Sequence, residues 1–198
     1  FLITNDERII AKAIIHSGSY MLYGRHASSP NNDVFDNIKL QSANFSGRMD
    51  NLRSAILIPQ LTELDAKIVK WNKLYNEISN NLKKQNGIFI PSRNKNEYYV
   101  GSSIQFRLRE FDDKLIKLFV NNCKGRGVDL KWFGDKNPIA YTSRYDSWEY
   151  INDIPVLNQT LKILKTTLDM RIPLTFDIGD CNVISNIIIE EFKKLKLQ

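Results

Sequence analysis

The sequence predicts an α/β domain in which a small mixed sheet is covered by helices on one face. Three observations carry that expectation. From residue 98 onward, short β-branched and aromatic runs alternate with segments of helical period. Before them, Leu57, Leu61, Leu64, Ile68, Trp71, Tyr75, Ile78 and Leu82 recur at steps of four and three, one stripe on a long helix. No glycine-rich nucleotide loop interrupts the alternation.

Taken in order, "FLIT" reads as a short apolar strand. "NDERIIAKAIIHSG" has Asn5 or Asp6 to cap a helix, acids in the first turn and Gly18 as its stop. Ile9 and Ala13, with Ile10 and Ile14, would form its buried face. Residues 19–43 carry Gly24, Pro30 and "NND" without sustained periodicity, and read as a long loop. A helix then spans about Met49 to Gln85, kinked at Pro59 and ended by Asn86-Gly87. At 1.5 Å per residue it would be roughly 50 Å long, enough to link two subdomains or cross a subunit interface. A plain bundle helix is the alternative. Strands follow at 98–108, 128–133 and 169–174, with helices over "FDDKLIKLFVNNCKGRG", at about 156–167, and from a cap at Asp180 to the end.

Composition narrows the function classes. No apolar run reaches the length of about 18 residues that a membrane-spanning helix requires. The first residues lack the basic start of a secretory signal and an initiator Met, so the chain is expected to begin within a longer protein. Cys123 and Cys181 have no metal-ligand spacing, and suit a reducing cytoplasm as buried, inert thiols. The net charge of +6 is spread along the chain, and its densest run, "KKLK" at 193–196, closes a helix where cations complement the dipole. With no accompanying nucleic-acid motif, that charge does not predict DNA or RNA binding.

Motifs for nucleophilic or metal catalysis are also missing. His16 falls in the last turn of the first helix, a dipole position, and His26 lies in the long loop. Two clusters remain. Ser46, Gly47 and Arg48 stand at the start of the long helix, where a hydroxyl, free backbone N–H groups and a guanidinium could together hold a phosphate. Equally, Ser46 is an ordinary cap and Arg48 a surface charge. The second cluster, "WFGDKNPIAYTSRYDSWEY", gathers Trp132, Phe133, Tyr141, Arg144, Tyr145, Trp148 and Tyr150. Such a loop grips a flat or anionic ligand, or closes over a sheet. Trp148 and Tyr150 suit packing, and Arg144 and Tyr145 are the ligand candidates.

The order of these pieces resembles the C-terminal portion of the DegT/StrS family of pyridoxal-phosphate-dependent aminotransferases, many of which act on nucleotide-linked keto-sugars. "FLITNDERIIAKAIIHSG", "GRMDNLRSAILIPQLTELD", "GVDLKWF" and "RIPLTF" carry the resemblance, most specifically through Arg48, Met49, Leu52, Ala55, Gln60, Leu61, Leu64 and Asp65. It implies a fold-type I aminotransferase. Residues 1–48 would end the large cofactor-binding domain and form an interface loop, and 49–198 would be the linking helix and small domain. The Schiff-base lysine is expected upstream of Phe1, so no catalytic residue is assigned here and this chain alone should be inactive.

By the same resemblance, the cofactor is pyridoxal 5'-phosphate and the protein a cytoplasmic homodimer with a shared active site. The family places an Asn two residues before the motif Arg, against the partner's cofactor phosphate. Ser46 occupies that position, and Asn44 nearby is the alternative contact. Arg48 would face the substrate. A family His-Tyr pair that touches the sugar is replaced by Trp132-Phe133, so the usual sugar contacts do not carry over, although both residues stand at the substrate position. The implied reaction moves an amino group, often from glutamate, to a keto acceptor. A module of the same fold that only dimerises or binds is the competing expectation.

Overall fold

The computed structural model describes residues 2–18, 22–42, 51–137 and 145–197. Asn44, Ser46, Gly47, Arg48, Tyr141 and Arg144 lie outside them. The chain divides into two compact units, Phe1–Ala55 with Asp135–Leu157, and Ile56–Gly134 with Asn158–Gln198.

In the first unit, α1 (Glu7–His16) starts where the Asp6 carboxylate accepts from the Arg8 and Ile9 backbone N–H groups. The expected strand at "FLIT" does not form. Among the described residues no strand pairs with it, Ile3 is 94% exposed, and the Thr4 hydroxyl instead accepts from Asp6 N at 3.1 Å. The residues read as a long loop hold a 3-10 turn (Tyr23–Arg25) and α2 (Asn32–Asp36). Phe35 and Ile38 bury themselves against Ala11, Ile14 and Ile15, with the Tyr23 ring 4.6 Å from that of Phe35. This contact decides which face of α1 is inward: Ile14 is buried as expected, while Ile9 is left exposed.

The single long helix is two. α3 runs Asn51–Thr62 and α4 runs Leu64–Lys83. Pro59 sits inside α3, and the interruption falls four residues later, at Glu63. The Thr62 hydroxyl donates to Pro59 O at 2.7 Å, competing for a carbonyl the helix ladder would use. The stripe divides with the helix. Ile68, Tyr75, Ile78 and Leu82 are buried, whereas Leu57, Leu61 and Leu64 are exposed and α3 buries no residue.

The second unit holds a four-stranded sheet of order β1-β2-β4-β3, with β1 Ile88–Phe89, β2 Ser103–Leu108, β3 Lys131–Trp132 and β4 Thr167–Arg171. It was expected to be mixed but is antiparallel at every pairing. The reason is topological. β2 and β3, joined through α5 (Asp113–Gly125), run the same way, but β4 inserts between them and opposes both.

Alternation along β2 buries Ile104, Phe106 and Leu108, and register sets Ile104 opposite Met170 and Phe106 opposite Leu168. These pack with Leu74, Ile78 and Leu82 of α4, Ile116, Phe119 and Cys123 of α5, and Ile188 and Phe192 of α7 (Ile178–Lys196). Each large side chain so buried contributes about 1.5–3 kcal/mol. The cap of α7 is Asp177 rather than Asp180. Asp180 is the third residue of the helix and completes a capping box, accepting from Asp177 N at 2.9 Å. The remaining helix, α6, covers Asn158–Leu164.

Candidate functional site

Sequence reasoning placed Trp132, Phe133, Arg144 and Tyr145 in one loop, but the chain divides between Gly134 and Asp135. Trp132 and Phe133 therefore belong to the unit with the sheet, and Tyr145 to the other.

Trp132 ends β3 opposite Leu168, and its indole packs on the core. Its Nε1–H donates to Lys165 O at 2.8 Å, so the polar handle of this side chain is committed within the protein. Gly134 is required beside it, because a Cβ there would meet Trp132 Nε1 at 2.6 Å and Lys165 O at 2.7 Å. Phe133 donates its backbone N–H to Thr167 O at 3.1 Å, and Lys131 Nζ lies 5.1 Å from its ring centroid. Phe133 is half-buried, with a cation at its face.

In the other unit, Tyr145–Ser147 forms a 3-10 turn. Trp148 and Tyr150 stack with ring centroids 5.9 Å apart, and Glu149 N donates to Leu40 O at 3.0 Å. Trp148 and Tyr150 thus pack on each other. His26 lies at the end of the first 3-10 turn, where its Nδ1 accepts from Ser28 N at 3.2 Å. His16 closes α1.

Both cysteines are free and buried. Burial, with the Glu191 charge beside it, pushes the Cys123 thiol up to about 12. Burial and Glu77 push that of Cys181 up to about 11. Neither is a thiolate at neutral pH, so neither is a ready nucleophile. Among the described residues, no group of three His, Cys, Asp or Glu side chains could hold a metal ion. No lysine among them is buried.

One arrangement of charged side chains was missed by sequence reasoning. Arg107 lies on the side of the sheet away from α4, α5 and α7, with Phe89 as its cross-strand partner, and the Arg109 guanidinium lies over the Phe89 ring. The alternation along β2 was the available signal for Arg107, whereas Arg109 follows the last strand residue, Leu108, and no strand period places it.

A model of the DegT/DnrJ/EryC1/StrS aminotransferase family matches residues 1–168. Among solved structures, similarity extends to the aminotransferase TlmJ from Streptoalloteichus hindustanus (TM-score 0.59, 12% identity, covering 78% of this chain and 39% of that one). It extends also to 3-amino-5-hydroxybenzoic acid synthase (0.61, 15%, 89% and 46%). A third is Helicobacter pylori PseC, an aminotransferase involved in the biosynthesis of pseudoaminic acid (0.62, 11%, 84% and 48%). At these identities the likeness is one of fold, and the chain spans less than half the length of each of the three. A search among curated protein sequences finds no match.

Proposed function

This chain belongs to the DegT/DnrJ/EryC1/StrS aminotransferase family, and from that premise we propose that the protein is a pyridoxal 5'-phosphate-dependent aminotransferase. It takes an amino group from a donor such as glutamate and delivers it to a keto-sugar-type acceptor. The observation that carries this reading is the family match over 168 of 198 residues. The fold supports it, because two aminotransferases and 3-amino-5-hydroxybenzoic acid synthase share the arrangement of these elements.

Bound pyridoxal phosphate supplies an electron sink for the donor's α-carbon. The described residues include no buried lysine to anchor that group, so none of them is assigned a step through it. The chain's own share is positioning. Ser46, or Asn44 beside it, donates to the phosphate of the cofactor held by a second subunit, and Arg48 faces the substrate there. Phe133, Arg144 and Tyr145 are the further substrate candidates. Trp132 stands with them as a candidate, with its N–H already spent on Lys165 O. The protein acts as a cytoplasmic homodimer, and its Schiff-base lysine lies upstream of Phe1.

The exposed leucines of α3 also favour a second reading, a module that dimerises without catalysis. Borohydride reduction of the longest obtainable gene product after pyridoxal phosphate titration, with peptide mass mapping, separates the two. The enzyme reading expects one stoichiometrically labelled lysine outside these 198 residues. Scattered surface labelling would leave the binding module, and a single labelled lysine within the chain would overturn the upstream assignment.

A further inference from the structure

The sequence contains one Asn-Gly step, Asn86-Gly87, and it stands where α4 gives way to β1. Lys84 and Gln85 finish the helix by donating their backbone N–H groups to Asn81 O and Leu82 O. Ile88 N then donates to Gln85 O at 3.2 Å, closing a turn whose second residue is Asn86 and whose third is Gly87. At φ +98°, Gly87 holds a conformation that glycine adopts freely. Asn86 is exposed, and its side-chain amide meets no partner among the described residues. The Gly87 N–H likewise meets no acceptor among them.

Two further features single this step out. Gln85 Nε2 donates to Asn86 O at 2.9 Å. That oxygen shares a peptide unit with Gly87 N, and takes up negative charge when the nitrogen loses its proton. A donor held on it therefore favours Gly87 N as a nucleophile. Other asparagines of this unit are tied down, Asn72 between Tyr99 O and Gly101 N, Asn81 on Asn182, and Asn122 on Glu191. The second feature is what lies behind the turn. Gly87 backs onto the Phe192 ring, which stacks on Phe111 at 5.0 Å in the core. β1 begins at the next residue and pairs only with Leu108 and Arg107. An added main-chain atom at residue 86 has no room on this side.

We propose that Asn86-Gly87 is a self-modification site whose conversion loosens the corner between α4 and β1. Gly87 N attacks Asn86 Cγ, closing a cyclic imide. The Cγ–Nδ2 bond breaks, and its nitrogen leaves as ammonia with the proton from Gly87 N. The attack is intramolecular and involves no change of oxidation state. Water then opens the imide at either carbonyl, giving aspartate or isoaspartate, each with a new carboxylate. In isoaspartate the main chain runs through the former side chain and gains a methylene, displacing either the end of α4 or Gly87 from its seat on Phe192. The site goes beyond the aminotransferase reading and does not depend on it.

Ageing the longest gene product in mildly alkaline buffer under native conditions, with ammonia release and peptide mass mapping, tests the site. The peptide holding residues 86 and 87 should gain the mass of an amide-to-acid exchange and split into two chromatographic forms. Conversion should be absent in Asn86→Ser and slowed about two- to tenfold in Gln85→Ala, the scale of one hydrogen bond between neutral groups. Neither side chain belongs to the core, so both variants keep the packed faces. The melting temperature of the wild type should fall with ageing, while that of Asn86→Ser stays constant. Conversion at Asn86 no faster than at the other asparagines, an unchanged rate in Gln85→Ala, or conversion without loss of melting temperature would overturn the proposal. Lysine labelling reads none of these outcomes, so either reading can fail alone.

Discussion

The Glu191 side chain is 4% exposed yet remains a carboxylate, because three donors meet it. Lys194 Nζ lies at 2.6 Å, Arg126 Nη1 at 2.9 Å and Asn122 Nδ2 at 3.3 Å. The Lys194 hydrogen bond, aided by Arg126, holds the carboxyl below its usual range against the opposing effect of burial. A folded-state pKa depressed below the unfolded value of about 4.3 gives stability that is present above that value and lost as pH falls through the folded one. Melting temperature should therefore drop more between about pH 5 and about pH 3 in the wild type than in Glu191→Gln. At neutral pH the substitution should cost about 1–2 kcal/mol in denaturant unfolding. That range is discounted because Arg126 and Lys194 are 37% and 61% exposed and recover water. Gly87 poses a steric problem instead. Its φ is +98°, and an added Cβ would collide with the Phe192 ring in the core. Gly87→Ala combines left-handed strain with overpacking and should cost about 2–4 kcal/mol by the same measurement.

At the scale of the element, local chemistry decided what could be read from sequence. α5 was legible because Asp112 caps it and Gly127, at φ +86°, lies just beyond its end. α4 was legible because its stripe is a buried face. The break after α3 was not, since nothing in "PQLTELD" announces that the Thr62 hydroxyl will take the Pro59 carbonyl. β1 was missed because two residues carry no period, and its existence depends on pairing with Leu108 and Arg107 across the sheet. The candidate site was legible only as residue types. Trp132 was read as a ligand group, and only the fold shows its indole N–H reaching Lys165 O, 33 residues away. The cap of α7 was misplaced by three residues because Asp177 and Asp180 satisfy each other's backbone, so either reads as a cap. Asp177→Ala should cost about 1 kcal/mol. Asp180→Ala should cost less, since it leaves Asp177 without its return bond but with its own contact. Thermal denaturation of the two variants orders them.

For the whole molecule, the decisive prediction concerns which subunit completes a site. α3 carries Leu52, Ile56, Ile58 and Leu61 at exposures of 71%, 53%, 63% and 66%, a density of apolar surface that solvated helices rarely keep. It directly follows the residues proposed to reach a second subunit's cofactor, so an interface along α3 would carry Ser46 and Arg48 across with it. If the site is shared, an Arg48→Ala variant and a variant lacking the Schiff-base lysine are each inactive, but they complement when mixed. Half of the re-formed dimers are then mixed, and each mixed dimer has one site with both lesions and one with neither. Activity should recover to about a quarter of the wild-type value. A site built within one subunit predicts no recovery at any ratio, because every site would keep one lesion. Leu61→Glu should prevent complementation and shift sedimentation towards the monomer, tying recovery to the α3 surface rather than to incidental contact. Recovery with no change in sedimentation on Leu61→Glu would keep the shared site but move the interface elsewhere.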